Sequence, residues 1–429
     1  MRWPLGSPVA VVIPSSTEDV VSIVGMARSA GVPMVPYGAG TGVQAGAAPL
    51  AGSMVIDLSQ MTQISSISRE DRLVRVGPGM LLGALDARAS ELGLMVGHDP
   101  WSQPIASVGG AVSTNGVGYL AGKYGSMGEQ VLGLEVVLST GEVIDIRAVP
   151  KASTGPQLRN VFIGAEGTLG IITRVDLRLF PIPEQRTLAG YWFSCFEDGL
   201  HAVVEMADIH LRPAMIDYEE DTTQVKPLLG RLVDTPSEMY FAFDGFKEEV
   251  AAQAARTDEI CRRRGGRPMA ASEAQRFWDT RHEPAERYVA QKQIGTPRWS
   301  DHWRSSTYLN VTLPVAGIAA FRTRAARGLE HHRLAVVASG LWGIPELFSF
   351  RLEHQEPDRE DAQAQLDQGA DDALRLVHEL GGSMEYCHGV GVRLSHLMPA
   401  ELGAGLDVLR RLKRALDPAW LLNPGKLGL

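Results

Sequence analysis

Cysteine is scarce in this 429-residue chain, which has three, Cys195, Cys261 and Cys387, far apart and without a CxxC pair. That spacing offers neither a disulfide framework nor a zinc cluster, and a reducing cytoplasm is the expected compartment. No run of 18 apolar residues occurs; the nearest, Leu334 to Ile344, is interrupted by Ser339, Gly340 and Gly343. No segment therefore reads as a transmembrane helix. The opening stretch, Met1 to Pro14, lacks the charged head and apolar run of a secretion signal. Positive charge is not in excess either. Lys and Arg number 41 against 50 Asp and Glu, a formal charge of −9 without basic clusters, which argues against a nucleic-acid partner.

Glycine is what the chain has in quantity, and much of the total of 46 lies between Gly38 and Gly170, in short clusters between apolar β-branched runs. Val9 to Ile13 reads as a buried strand. Ser15-x-x-Glu18 reads as the capping box of a helix whose apolar stripe is Val20, Val21, Val24 and Ala27, and which Gly31 ends. Further strands are expected at Pro33 to Pro36, Met54 to Leu58, Leu73 to Val76, Val131 to Leu138 and Arg174 to Phe180. Leu81 to Leu92 reads as a helix stopped by Gly93, and Ser139 to Glu142 as a hairpin turn. Pro181-x-Pro183 marks a domain boundary. Beyond it, amphipathic helices (Asp198 to His210, Lys247 to Arg264, Pro314 to Arg327, Asp361 to His378) separate strand-like runs such as Met239 to Phe243 and Tyr308 to Leu313. That alternation predicts an α+β domain with helices on one face of an antiparallel sheet. The tail after Gly381 returns to a glycine-rich loop and a helix at Gly405 to Leu416. The expected organisation is residues 1–183 as two α/β subdomains, 184–375 as a second domain, and 376–429 as a returning tail.

Three glycine clusters carry the chemistry. Pro36-Tyr37-Gly38-Ala39-Gly40-Thr41-Gly42 follows a strand, where backbone N–H groups can approach a phosphate without a Cβ in the way. It is not a Rossmann GxGxxG, because the third glycine would fall at Val43. Gly97-His98-Asp99-Pro100-Trp101-Ser102 leads into Ala106-Ser107-Val108-Gly109-Gly110-Ala111-Val112-Ser113-Thr114-Asn115-Gly116-Val117-Gly118, then Lys123-Tyr124-Gly125. This second cluster reads as a loop system about two strands long, able to wrap a pyrophosphate and the edge of a flat ring. The third is Gly164-Ala165-Glu166-Gly167-Thr168-Leu169-Gly170-Ile171-Ile172-Thr173.

In this order and spacing the clusters resemble the FAD domain of the vanillyl-alcohol oxidase and p-cresol methylhydroxylase family. The nearest branch holds D-lactate dehydrogenase, the glycolate oxidase flavin subunit, D-2-hydroxyglutarate dehydrogenase and alkylglycerone-phosphate synthase. The ending agrees: Cys387-His388-Gly389-Val390-Gly391, Leu416-Asp417-Pro418, and Asn423-Pro424-Gly425-Lys426. The resemblance covers nearly the whole chain, and the joint motif set is specific to the family.

It implies FAD held between two small α/β subdomains, an α+β (ferredoxin-like) cap, and a tail that returns to the active site. Matched by position, Gly38 to Gly42 and Ser107 to Gly110 face the pyrophosphate, with Pro36, Tyr37, Pro100, Ser102, Ser113 and Thr114 in the same loops. Asn115, Gly118, Tyr124 and Gly125 lie nearer the flavin. Glu166, Gly167, Gly170, Ile171 and Ile172 line the adenosine side, and Asn423 and Lys426 close over the ring. The Gly38 to Gly46 loop contains no His or Cys for attachment, so the flavin is expected to be non-covalent.

At the substrate end the candidates are His388 as a base, Arg281 of Trp278-Asp279-Thr280-Arg281 as a fork onto a carboxylate or phosphate, and Tyr386 behind them. Arg351 and His354 rank lower, as structural residues. Metal-dependent members of the branch carry a His-rich cap strand and a Glu before the tail His; here Ser339 to Arg351 has no His and Cys387 stands in the place of that Glu, so no metal is expected. The synthases carry three consecutive histidines where this chain has Tyr386-Cys387-His388. Gly97 to Pro100 and Ser153 to Pro156, however, look like the synthase. Three readings follow: a CH–OH oxidoreductase on a small anionic substrate of 2-hydroxy-acid type, a flavin-dependent transferase of the synthase type, and an FAD-binding biosynthetic protein without turnover. The substrate, the electron acceptor and the oligomeric state, a homodimer among the options, stay open.

Overall fold

The computed structural model describes residues 6–221, 229–232, 235–293 and 306–429; residues 1–5, part of the stretch read for a secretion signal, lie outside these. The chain forms two compact units. One comprises Met1–Gly118, Tyr124–Ile182 and Cys387–Leu429, the other Tyr119–Lys123 and Pro183–Tyr386.

The first unit holds two subdomains. Strands β1 (Ala10–Val12), β2 (Met34–Tyr37) and β3 (Met54–Asp57) form a parallel sheet in the order β1-β3-β2. The Thr17–Ala30 helix covers it with Val20, Ile23, Val24 and Ala27, which pack with Met34 and Ile56. Its capping box lies one residue later than expected: Ser16 Oγ accepts from Asp19 N at 3.1 Å, and Asp19 accepts from Ser16 N at 3.1 Å. The stripe runs through Ile23, at i+3 from Val20, and Val21 lies at its margin. Gly31 ends the helix in the left-handed region, at φ 64°.

In the other subdomain, β4 (Ile64–Ser68), β5 (Leu73–Val76), β7 (Val131–Val137), β8 (Val143–Ile146) and β9 (Ile171–Arg178) form an antiparallel sheet in the order β4-β5-β9-β7-β8, while β6 (Leu94–Met95) pairs with β10 (Phe180–Pro181). Apolar residues crowd β7 because both faces are covered. Leu134 and Val136 pack with the Leu82–Ser90 and Val108–Thr114 helices, and Val137 joins the core of the parallel sheet. The β7–β8 turn closes at the expected place, with Leu138 N donating to Glu142 O at 2.9 Å and Gly141 at φ 87°.

The tail completes the parallel sheet. Met34 N donates to Leu421 O at 2.6 Å and Asn423 N to Met34 O at 2.7 Å, so the last residues run beside β2. Behind them Lys413 and Asp417 are fully buried as an ion pair at 2.5 Å. Lys413 Nζ also donates to Thr168 O and Leu422 O, and Asp417 accepts from Leu421 N and Leu422 N.

The second unit is an antiparallel sheet of β11 (Gln185–Phe193), β12 (Met215–Asp221), β13 (Ser237–Gly245), β14 (Arg267–Pro268), β15 (Ser306–Thr312), β16 (Leu334–Trp342) and β17 (Ile344–His354), in the order β14-β11-β13-β12-β16-β17-β15. The Phe196–Asp208, Lys247–Arg263, Ile318–Leu329 and Ala362–Glu379 helices pack on it as the amphipathic pattern predicts. Within that layer the Arg322 guanidinium is buried, donates to Glu197 and Glu220, and lies 4.1 Å from the Phe196 ring centroid. The α+β class expected from the sequence is the one observed. No described helix is long and apolar enough to cross a membrane.

Candidate functional site

In the first unit, Pro36 and Tyr37 end β2 and deliver the chain into the Gly38–Gly42 loop. A Cβ on Gly38 would sit 2.3 Å from Ser107 Oγ and would push that hydroxyl out of place. The same hydroxyl oxygen accepts from Ala39 N and Gly110 N, each at 3.3 Å, and so joins the first glycine cluster to the second. The second cluster corrects the reading of it as a loop two strands long. Val108–Thr114 is a helix, N-capped by Ser107 and ended by Asn115 in the left-handed region at φ 51°. Paired small residues had masked it. Gly109 allows the helix to approach Pro78, whose carbonyl would lie 3.0 Å from an added Cβ, and Val108 and Val112 face the core.

Around that helix the remaining candidates are mostly tied. Thr114 Oγ1 donates to Gly110 O at 3.3 Å, Ser113 O accepts from Glu166 N at 3.0 Å, and Asn115 Oδ1 accepts from Gly128 N at 2.9 Å. Pro100 and Ser102 form the turn before it, their carbonyls accepting from Gln103 N and Ile105 N. Gly118 packs on the Asp99 backbone, an added Cβ falling 2.7 Å away, and Tyr124, ahead of Gly125 at φ 75°, packs at a tilt against Phe180 with ring centroids 4.7 Å apart.

Glu166 is the hinge of the third cluster. Its backbone is left-handed at φ 50°, and its carboxylate accepts from Val390 N and from Gly391 N at 2.8 Å. That carboxylate therefore fastens the tail turn carrying His388 to the Gly164–Gly170 loop. Gly167 lets this loop lie on the Pro36 ring, 2.9 Å from an added Cβ. Gly170 abuts Val136 and Phe162, and the side chains of Ile171 and Ile172 are core residues, so these three offer a ligand only backbone.

At the chain's end Asn423 Nδ2 donates to Gly46 O and Glu166 O at 2.9 and 2.6 Å, while its Oδ1 is buried without a hydrogen-bond partner. Lys426 Nζ donates to Ala48 O at 2.9 Å, and burial pulls its pKa down to about 8. A buried orphaned acceptor in the same unit as a glycine-rich loop fits the FAD that the sequence implies. Residues Gly38–Gly42, Ser107, Asn423 and Lys426 would hold it.

His388 belongs to this unit, half-buried in the turn between Cys387 and Gly389. Cys387 Sγ donates to Val117 O at 3.5 Å. Sequence reasoning passed over His98, which is buried with an unpaired Nδ1 and pushed down to about 4 by burial, so it stays neutral near pH 7. The only signal for it was its place in Gly97 to Pro100.

Arg281 and Tyr386 belong to the second unit. Arg281 ends the Ala271–Thr280 helix with its guanidinium 3.7 Å from the Trp278 ring centroid and one N–H donated to Trp278 O at 2.6 Å. Tyr119 OH donates to its carbonyl at 3.3 Å. Tyr386 OH meets Ser349 Oγ at 2.9 Å, and Ser349 donates to Asn310 Oδ1 at 2.9 Å. His354 is buried inside the fold, accepting from Glu356 N at Nδ1 and facing Gln365 Oε1 with Nε2. Arg351 lies over the Tyr308 ring at 5.8 Å. Among the described residues no group of three or more His, Cys, Asp or Glu is arranged to hold a metal.

Residues 8–147 match the FAD binding domain family, and residues 182–427 match the C-terminal domain of the FAD linked oxidases. A probable mitochondrial D-lactate dehydrogenase of Danio rerio is 28% identical over 434 residues, covering 98% of this chain and 84% of the relative. Among solved structures, p-cresol methylhydroxylase with substrate bound superposes with a TM-score of 0.77 at 21% identity, covering 99% of this chain and 89% of that one. Alkyldihydroxyacetonephosphate synthase does so with 0.76 at 20% identity, covering 97% and 77%.

Proposed function

Since the chain belongs to the FAD-linked oxidases and is an FAD-dependent oxidoreductase, we propose that it takes hydride from a CH–OH group of a small anionic substrate of 2-hydroxy-acid type. The similarity to a D-lactate dehydrogenase over nearly the whole chain supports that class. The observation that carries the reading is the Glu166 clasp: two successive N–H groups of the tail turn are tied to one carboxylate, which fixes the loop that presents His388. The bound flavin supplies the two-electron acceptor. His388 accepts the hydroxyl proton, work suited to a neutral imidazole near pH 7. Arg281 forks onto the substrate's carboxylate, its plane already set by Trp278.

Anaerobic mixing with a panel of D-2-hydroxy acids tests this. At least one is expected to bleach the flavin, and bleaching by none would remove the oxidoreductase substrate class. Product formed without net electron transfer would instead favour the adduct-forming transferase, which the synthase-like Gly97 to Pro100 supports.

Arg281→Ala is expected to weaken substrate binding by about 2 kcal/mol, roughly thirtyfold, with Arg281→Lys recovering part of it because an ammonium cannot make the paired fork. Unchanged saturation of flavin reduction would return Arg281 to a purely structural role on Trp278.

Two properties of the holoprotein follow from the same reading. Acid precipitation is expected to leave the flavin in the supernatant as FAD, since the Gly38–Gly46 loop has no His or Cys. Yellow colour remaining with the denatured chain would show a covalent bond. EDTA is expected to leave turnover intact, because Cys387 and the His-free Ser339–Arg351 segment offer no imidazole–carboxylate set. Loss of activity restored by zinc or manganese would overturn that.

A further inference from the structure

Asp217, in the middle of β12, is used neither by the fold nor by the chemistry proposed above. It is 8% exposed and makes no hydrogen bond or ion pair among the described residues. Its neighbours on the strand turn toward the helices. Tyr218 OH donates to Phe196 O at 2.7 Å, and Glu220 accepts from buried Arg322. Alternation along the strand places Asp217 on the other face.

On that face it is surrounded by aromatic rings. Its cross-strand partners are Tyr240 on β13 and Trp342 on β16. Each is covered by a second ring, Phe277 stacking on Tyr240 at 4.2 Å and Tyr119 on Trp342 at 5.0 Å. Those second rings meet edge to face at 6.2 Å. Two residues further along β12, exposed Glu219 pairs across the strands with Glu238, whose carboxylate accepts from Tyr240 OH at 2.5 Å. Burial, then Glu219 and Glu238, raise the Asp217 carboxyl well above its ordinary range.

We propose that this face of the second unit binds an organic ammonium group, with Asp217 as its counter-ion, Tyr240 and Trp342 as the walls, and Glu219 and Glu238 at the mouth. Aromatic faces carry negative potential, so they disfavour a carboxylate without a partner and favour a cation beside it. A carboxylate kept in such a place without a hydrogen bond destabilises the fold, and a bound cation removes that cost. An alkylated ammonium suits these walls better than a metal ion, which needs several converging ligands. The site uses neither the His388 imidazole nor the Arg281 guanidinium, although Tyr119, which covers Trp342, also donates its hydroxyl to the Arg281 carbonyl.

The test is titration of the FAD-loaded protein with choline and with its neutral isostere 3,3-dimethylbutan-1-ol, read by calorimetry and by tryptophan fluorescence. Choline is expected to bind saturably, at least about tenfold more tightly than the alcohol, a margin within the range for a desolvated cation on aromatic rings. Asp217→Asn, which keeps the shape and removes the buried charge, is expected to fold, keep FAD and lose that preference. Glu219→Gln, at the exposed mouth, is expected to weaken choline binding severalfold and serves if Asp217→Asn does not fold. Equal binding of choline and the alcohol, no saturable choline binding, or full displacement of choline by equimolar potassium would overturn the proposal. So would parental choline affinity in Asp217→Asn or, should that variant not fold, in Glu219→Gln.

Discussion

Replacing His388 with alanine is expected to leave FAD bound and to slow reduction of the flavin by substrate about 10²–10⁴-fold, the usual worth of a positioned general base. FAD retention is expected because the tail turn is held by several contacts of other residues that this substitution leaves in place. Glu166 binds the backbone at Val390 and Gly391, Gln44 O accepts from Val392 N at 3.1 Å, and Cys387 is held at Val117. Anaerobic stopped-flow reduction over a range of substrate concentrations measures it. The loss should fall on the limiting rate, with the concentration for half-saturation little changed, since a base acts on the reacting proton. Reduction at the parental rate would move the base elsewhere, with the hydroxyl of Tyr386 the next group to test.

Asp417→Ala is expected to cost about 3–5 kcal/mol of stability, the range for breaking a buried ion pair by removing one partner. Lys413 would remain fully buried with only the carbonyls of Thr168 and Leu422, and the N–H groups of Leu421 and Leu422 would lose their acceptor. Both residues hold the segment that lies beside β2 and carries Asn423, so FAD should be released earlier in urea than from the parent. Lys413→Met is expected to cost less, because the new side chain keeps the buried volume filled and Asp417 keeps its two backbone donors. Urea titration followed by flavin fluorescence, with limited proteolysis of the tail, reports both effects. An Asp417→Ala protein with parental flavin release would show that the tail is held by its strand pairing alone.

The strands and long helices were legible in the sequence because each has its own periodicity and its own stop. Gly31 and Gly93 sit at φ 64° and 70°, where a side chain is strained, and the β7 run is apolar because both its faces are covered. The cofactor was legible for a related reason: a backbone that must approach a ligand or another strand closely excludes side chains, and that exclusion is written as glycine. The Val108–Thr114 helix was hidden by the same glycines, which lower helix propensity wherever they occur. Only packing against Pro78 and the core decides that this segment is helical.

By itself, then, the sequence determined the α+β class and the FAD-linked chemistry, both of which depend on local pattern or on motif order. Tertiary structure decided which polar groups meet. Glu166 and Val390 are 224 positions apart, Lys413 and Thr168 are 245 apart, and Asn423 and Gly46 are 377 apart. The same holds for Asp217, whose strand pattern is ordinary until Tyr240 and Trp342 arrive on either side of it. A single sequence carries no record of such pairings, because a carboxylate reads the same whether the fold gives it a donor, a solvent shell or a ring of aromatic faces.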